Sequence, residues 1–292
     1  MNFVIATDTP ANLPESFIRE HDIRVIPFTF YYDGEEHVCF NVDDFGVRSF
    51  YERMRNGLSV TTSQINPNTY DEFFSKILEE GQDLLYISMS SGISGSYLSS
   101  EAGAKLTREK YPDRKLYTLD TLGASLGEGL FVLKALEYRD RGDTIEEVYD
   151  RIMKERYCMY QIFTVDDLSY LQKTGRLSRA MAYIGKVLNI KPLLKGDREG
   201  KIVNFARVRG RKKVLNALAE RYDSYVVDPE KQVIGIAHAD CEEEALYLKE
   251  LLYRNRPPKD CMLVDYEPVT GSHVGPGTIA LFFESDSTVR DR

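Results

Sequence analysis

Residues 83–111 carry the pattern that most narrows the fold. Leu84, Leu85, Tyr86 and Ile87 form an unbroken apolar run, a turn of serines and glycines follows, and a long helical stretch extends to about Tyr111. An apolar run without alternation suits a strand covered on both faces, as in a parallel sheet flanked by helices. The same order recurs through the first half, with strands at residues 2–7, 24–32 and 115–119 and helices at 43–56, 66–81 and 124–140. Asn12, two residues before Pro14, reads as the cap of a further helix, and Asn66-Pro67 as the start of another. The alternation predicts an α/β fold with a mostly parallel sheet and helices on both faces.

The second half reads differently. A strand at 160–165 precedes helices at 165–173 and 178–188, and strands at 191–195 and 201–209 flank the turn Gly196-Asp-Arg-Glu-Gly200. Two strands so joined should pair antiparallel. A helix at 211–222 and a strand at 232–239 follow, then a helix with Asp240 as cap and Glu243 three residues on. Strands at 261–266 and 278–284 close the pattern. We place a boundary near residue 158. This gives an N-terminal α/β domain (1–158) and a C-terminal α/β domain (159–292) with a mixed or antiparallel sheet.

Composition excludes several classes. The 292 residues are 42% apolar and 29% charged, enough for a sizeable core, and no apolar run approaches the ~20 residues of a membrane span. Neither a basic region nor an apolar signal core opens the chain. Cys39, Cys158, Cys241 and Cys261 lie far apart without a CxxC pair, which fits a reducing cytoplasm better than a disulfide framework or zinc ribbon. A net charge of −8 disfavours general nucleic-acid binding. Residues 173–213 nevertheless hold 13 Lys and Arg against two acids, a local excess of +11 that marks a candidate anion or partner face.

The chemistry-bearing stretch is Ser88-Met-Ser-Ser-Gly-Ile-Ser-Gly-Ser-Tyr97, between the buried strand and the long helix. Ligands of α/β sheets bind beyond the carboxyl ends of strands. A helix N-terminus there offers free N–H donors and a positive dipole end. Its serines add hydroxyls, while Gly92 and Gly95 would let the backbone approach a carboxylate or phosphate. Thr61-Thr-Ser-Gln64, expected in a loop, is a second hydroxyl cluster. A serine hydrolase using Ser94 is the competing reading, although Gly92-Ile-Ser-Gly-Ser96 has the last two positions of G-x-S-x-G reversed. His238-Ala-Asp-Cys241 lacks a second His within helical reach for a metal. Neither a Walker motif nor a GxGxxG after a strand occurs. Gly271–Gly277 reads as a constrained, Gly-rich loop carrying His273.

Together these pieces resemble the DegV family of bacterial fatty-acid-binding proteins, the lipid-carrying subunits of fatty-acid kinase. The resemblance covers essentially the whole chain. It rests on Asp8-Thr-Pro-Ala-Asn-Leu-Pro14, Thr62-Ser-Gln64, Ser90-Ser-Gly-Ile-Ser-Gly-Ser-Tyr97, Asp120-Thr121 with Ser125-Leu-Gly127, and Asp167 through Arg176. Further marks are Ile190-Lys-Pro192, Arg207 through Lys213, His238-Ala-Asp-Cys241 and His273-Val-Gly-Pro-Gly277. Thr9 and Thr121 stand where the family has Ser, and Lys173-Thr-Gly-Arg176 where it has a Lys-Gly-Gly-Arg-like run.

The resemblance implies a fatty acid buried between two domains, its carboxylate held by Thr62, Ser94 and N–H groups near Gly95, with His273 in the same network. It implies a non-enzymatic, cytoplasmic carrier without a cofactor. A separate ATP-dependent kinase subunit would phosphorylate the carboxylate, with Arg176 and Arg209 toward that partner or the phosphate. Burying about 15 methyl(ene) groups of a C16 chain at ~0.8 kcal/mol each gives a gross term near ~12 kcal/mol, before binding costs. A hydrogen bond to a charged group adds only ~1.5–3 kcal/mol. The tail should therefore set affinity and the head group orientation. A carrier of another amphipathic acid is the third reading.

Overall fold

A computed structural model describes residues 3–178 and 189–291. Four parallel strands form the first sheet, in the order β2-β1-β6-β7: β1 (Val4–Asp8), β2 (Arg24–Ile26), β6 (Leu84–Ser88) and β7 (Leu116–Asp120). All five residues of β6 are buried, as its unbroken apolar run requires. Helices α3 (Pro67–Glu79) and α4 (Ser96–Lys110) pack on this sheet. Asn66 caps α3 by accepting the Thr69 N–H at 3.0 Å, as the sequence predicts.

The expected strand at 24–32 is instead two. Pro27 lacks an N–H, and beyond it the chain leaves the first sheet. There β3 (Thr29–Tyr32), β4 (Glu35–Val38) and β5 (Thr61–Ser63) form a small antiparallel sheet in the order β4-β3-β5. The hydroxyl cluster at 61–64 therefore starts in a strand rather than a loop. Helix α2 (Val47–Arg55) belongs to the same excursion. Asn12 does not cap α1 (Glu15–Glu20), which starts after Pro14; Asn12 takes a left-handed conformation (φ 59°) and bonds the backbone at Asp265 and Glu267.

Six strands form the mixed second sheet, in the order β10-β9-β8-β13-β11-β12: β8 (Met159–Thr164), β9 (Ile190–Gly196), β10 (Ile202–Arg209), β11 (Val233–His238), β12 (Asp260–Asp265) and β13 (Ile279–Glu284). Only β11 and β12 pair parallel; β9 and β10 pair antiparallel, as expected. Successive residues of β13 face opposite ways. Ala280 and Phe282 join the core shared with the first sheet, and Leu281 and Phe283 join the core under α8 (Arg211–Tyr225) and α9 (Glu242–Asn255).

Between the two sheets lies α5 (Leu126–Asp140), buried on nearly every side because both sheets pack on it. Helix α6 (Ile145–Glu155) was not anticipated, although Thr144 and Glu147 form a capping box. Only Ser169–Lys173 of the expected 165–173 helix is helical (α7). The helix expected at 178–188 falls, beyond Ser178, outside the described residues. Asp240 is no cap either: it has φ +53° and pairs with Arg55, while Cys241 precedes α9. The Gly-rich segment at 271–277 is partly helical, in α10 (Pro268–Val274), whose first turn is capped by Glu267.

Candidate ligand-binding site

An apolar cavity of about 290 Å³ lies where the carboxyl ends of β6 and β7 meet the second sheet. Phe28, Met89, Phe163, Leu171, Val274 and Phe282 form much of its wall. One end holds the hydroxyl cluster. Thr62 comes from β5, Ser94 and Gly95 from the start of α4, and His273 from the last turn of α10. All four line the cavity, so the structure gathers them from three separate parts of the chain.

Thr62 Oγ1 lies 3.0 Å from His273 Nε2, while His273 Nδ1 is buried without a partner. Burial, reinforced by the nearby Arg176 guanidinium, pulls the His273 pKa down to about 3, so the ring is neutral at physiological pH. Ser94 Oγ accepts the Ser96 N–H at 3.2 Å. The histidine thus bonds Thr62, and among the described residues none hydrogen-bonds Ser94 as a base would.

Gly92 and Gly95 are small for a reason the sequence did not reveal. A Cβ on Gly92 would meet the Gly200 carbonyl carbon at 2.6 Å, and one on Gly95 would strike the Gln64 carboxamide. Both glycines admit neighbouring protein, so the β9–β10 turn seats directly on the serine turn. Ser90 Oγ donates to the Gly200 carbonyl at 2.9 Å and fixes that seat.

Arg176 lines the cavity and also an outer polar cleft of about 730 Å³. Its guanidinium donates to the Ile93 carbonyl (3.2 Å) and the Thr174 carbonyl (2.7 Å). Ser94 and Gly95 lie in the same shared wall. Arg209 does not: it is exposed at the far end of β10, seven residues from the cavity-lining Ile202, or roughly 24 Å along an extended strand. Much of the basic segment is paired. Lys191 meets Asp166 (2.6 Å), Arg198 meets Asp291 (2.8 Å), and Arg211 meets Glu244 (2.7 Å). Lys195 is buried and donates to the Arg290 carbonyl.

Three further cavity residues were not assigned to the site from the sequence, although Ser125 belongs to one of the motifs of the DegV resemblance. Gln161 bonds the Ala124 N–H and the Leu122 carbonyl, Ser125 precedes α5, and Tyr266 ends the stretch after β12. Behind them lie two buried acids, Asp8 and Glu128. Tyr86 donates to Asp8 at 2.9 Å and Thr7 to Glu128 at 2.8 Å. Burial raises both carboxyls above their ordinary range. His238, beside Asp265 at 3.0 Å, lies elsewhere. Among the described residues no group of three or more His, Cys, Asp or Glu could hold a metal ion, and no helix is long and apolar enough to cross a membrane.

The model of the family described as "Uncharacterised protein, DegV family" matches residues 2–286. A DegV domain-containing protein of Clostridium perfringens is 38% identical over 287 residues, covering 98% of each chain. Among solved structures, a fatty-acid-binding DegV family protein from Thermus thermophilus superposes with a TM-score of 0.88 at 27% identity, covering 98% of this chain and 100% of its own. A Thermotoga maritima protein reported to reveal a fatty-acid-binding function superposes with a TM-score of 0.82 at 29% identity, with coverage of 98% and 100%.

Proposed function

Because this chain belongs to the DegV family, we propose that it binds one long-chain fatty acid in the cavity. It would present the carboxylate at the outer cleft to a separate ATP-dependent kinase subunit, which makes the acyl phosphate. The reading rests on one observation above all: an apolar cavity ends in a cluster of neutral donors that opens onto a polar cleft. The fatty-acid-binding relatives from Thermus and Thermotoga support the ligand class.

In this reading the Thr62 and Ser94 hydroxyls and the Gly95 N–H hold the carboxylate, assisted by the positive end of α4. Neutral His273 donates from Nε2 to Thr62 Oγ1, which turns the Thr62 proton toward the ligand. Arg176, in the shared wall, adds positive charge beside the head group and faces the partner. Arg209 would meet the kinase only at the edge of a wide footprint. The lipid lies between an N-terminal unit (1–158) and a C-terminal unit (159–292). The chain acts as a cytoplasmic carrier and not as a complete enzyme, and the fatty acid is its only small-molecule ligand.

Mass spectrometry of protein purified from bacteria under native conditions tests this. We expect close to one fatty acid per chain, and added palmitate or oleate to bind the delipidated protein. A preparation that holds no lipid and binds neither acid overturns the reading. Recovery of a different amphipathic acid would keep the cavity and replace the substrate.

A further inference from the structure

The cavity is not apolar throughout. Ser125 is 1% exposed, lines the cavity, and sits at φ +56°, a strained conformation for a residue other than glycine. Its hydroxyl lies beside the Tyr266 phenol but has no hydrogen-bond partner of good geometry. Gln161, 8% exposed, also lines the cavity. Its Oε1 accepts the Ala124 N–H at 3.2 Å and its Nε2 donates to the Leu122 carbonyl at 3.1 Å. An NH2 group has two donors, so one remains. A buried hydroxyl without a partner is costly to keep, and a second polar locus inside a hydrocarbon site needs a ligand to justify it.

This locus is separate from the head-group cluster. Tyr266 stands two residues before α10 and His273 in its last turn; five helical steps at about 1.5 Å give ~7.5 Å of rise, and the extended step at Glu267 brings the backbone separation to roughly 10 Å. An extended hydrocarbon chain with bonds of ~1.5 Å and tetrahedral-like angles advances about 1.25 Å per bond. Ten ångströms is then about eight bonds, near the middle of a C16 or C18 chain.

We infer that Ser125 Oγ, the Tyr266 hydroxyl and the Gln161 carboxamide form a hydrogen-bonding subsite for a hydroxyl or keto oxygen carried at mid-chain by the fatty acid. The inference rests on the fatty-acid reading above and names a narrower substrate class within it. A hydroxyl there both donates and accepts, so it can satisfy Ser125 and the spare Gln161 N–H together. A plain hydrocarbon chain leaves both unpaired.

The test is binding of octadecanoate and of octadecanoates hydroxylated at carbon 3, carbon 10 or carbon 17 to delipidated protein. Wild type, Ser125→Ala and Ser125→Gly are compared, the glycine variant being at ease with the positive φ should alanine disturb folding. The readout is the affinity for each hydroxy acid divided by that for octadecanoate. We expect this ratio to be largest for the carbon-10 acid in wild type. It should fall about tenfold in both variants, the loss of roughly one good buried hydrogen bond. A ratio that is the same at all three positions, or unchanged by both substitutions, overturns the inference while leaving fatty-acid binding intact. If wild type binds neither octadecanoate nor any of the hydroxy acids, the fatty-acid reading falls instead, and the subsite with it.

Discussion

Thr62 Oγ1 and His273 Nε2, 211 residues apart in the chain, stand 3.0 Å from each other at the mouth of the cavity. The bond joins the small antiparallel sheet to α10 and, on the proposed reading, orients the hydroxyl that meets the head group. A histidine held neutral by burial does this without adding charge of its own.

Removing that hydroxyl should therefore disturb geometry more than affinity. Thr62→Ala and Ser94→Ala each delete a donor worth ~1.5–3 kcal/mol to a charged acceptor and leave the apolar wall in place. Titration calorimetry should still detect fatty acid, bound about ten- to a hundredfold more weakly at most. On the proposed reading, phosphorylation by a kinase should fall further than binding does. Wild-type phosphorylation in both variants would remove these residues from the head-group site.

His273 gives a pH signature through what it fails to do. Its pKa lies near 3, so its charge does not change between pH 5 and 8. Fatty-acid affinity should show no inflection near 6.5 in wild type, and His273→Asn should weaken binding by a constant factor across that range. An inflection near pH 6.5 that disappears in the variant contradicts a buried, neutral ring.

Arg176→Ala should lower lipid binding and, on the proposed reading, phosphorylation by a kinase as well. The DegV resemblance placed Arg176 toward the partner or the phosphate, but the guanidinium also lines the cavity and ties the Ile93 and Thr174 carbonyls. Lipid affinity and kinase turnover should each drop, with Arg176→Lys restoring only part because an ammonium cannot span two carbonyls as a planar fork does. Paired titration and turnover assays at several ionic strengths check this. Unchanged lipid affinity would place the side chain wholly on the partner face.

The acids behind the cavity predict a stability profile. Burial raises the Glu128 carboxyl, with Asp8 adding to the rise, so the folded state holds a proton that the unfolded chain has released. Stability must then fall as pH rises above the ordinary glutamate range near ~4.3, until the folded carboxyl itself releases its proton. Glu128→Gln keeps the shape and removes that proton. The difference in unfolding free energy, wild type minus variant, should decline from pH 4 to pH 8 in denaturant titrations. A flat or rising difference means that Glu128 is ionised in the fold.

Gly92→Ala tests the seat of the β9–β10 turn. The added methyl meets backbone and not a flexible side chain, so we expect a loss of about 1–3 kcal/mol, read as a lower thermal midpoint. A neutral result would mean the turn yields freely.

The sequence made the layered architecture legible because β6 is apolar without interruption and Asn66-Pro67 opens α3 as its types dictate. Its failures share a cause. Asn12 and Asp240 were read as caps, yet both adopt positive φ, and Asn and Asp serve either purpose equally well. The glycines near His273 suggested a loop, whereas Gly271 sits in a helix, and it lacks a side chain because the Tyr51 phenol packs where a Cβ would be. Thr62, Ser94 and His273 were named through the DegV resemblance. Ser125 stood in a motif of that resemblance without a site role, and Gln161 and Tyr266 carried no signal, since each is an ordinary residue until folding brings them to one wall.

The cavity interrupts a core in which both sheets share α5, and that has a bearing on supply. Lipid filling this gap would act as a missing piece of the interior, adding about 2.7 kcal/mol at a hundredfold excess over its dissociation constant. The lifetime of the protein would then follow the availability of its cargo, and cells starved of fatty acid would carry less of the carrier without any change in its synthesis.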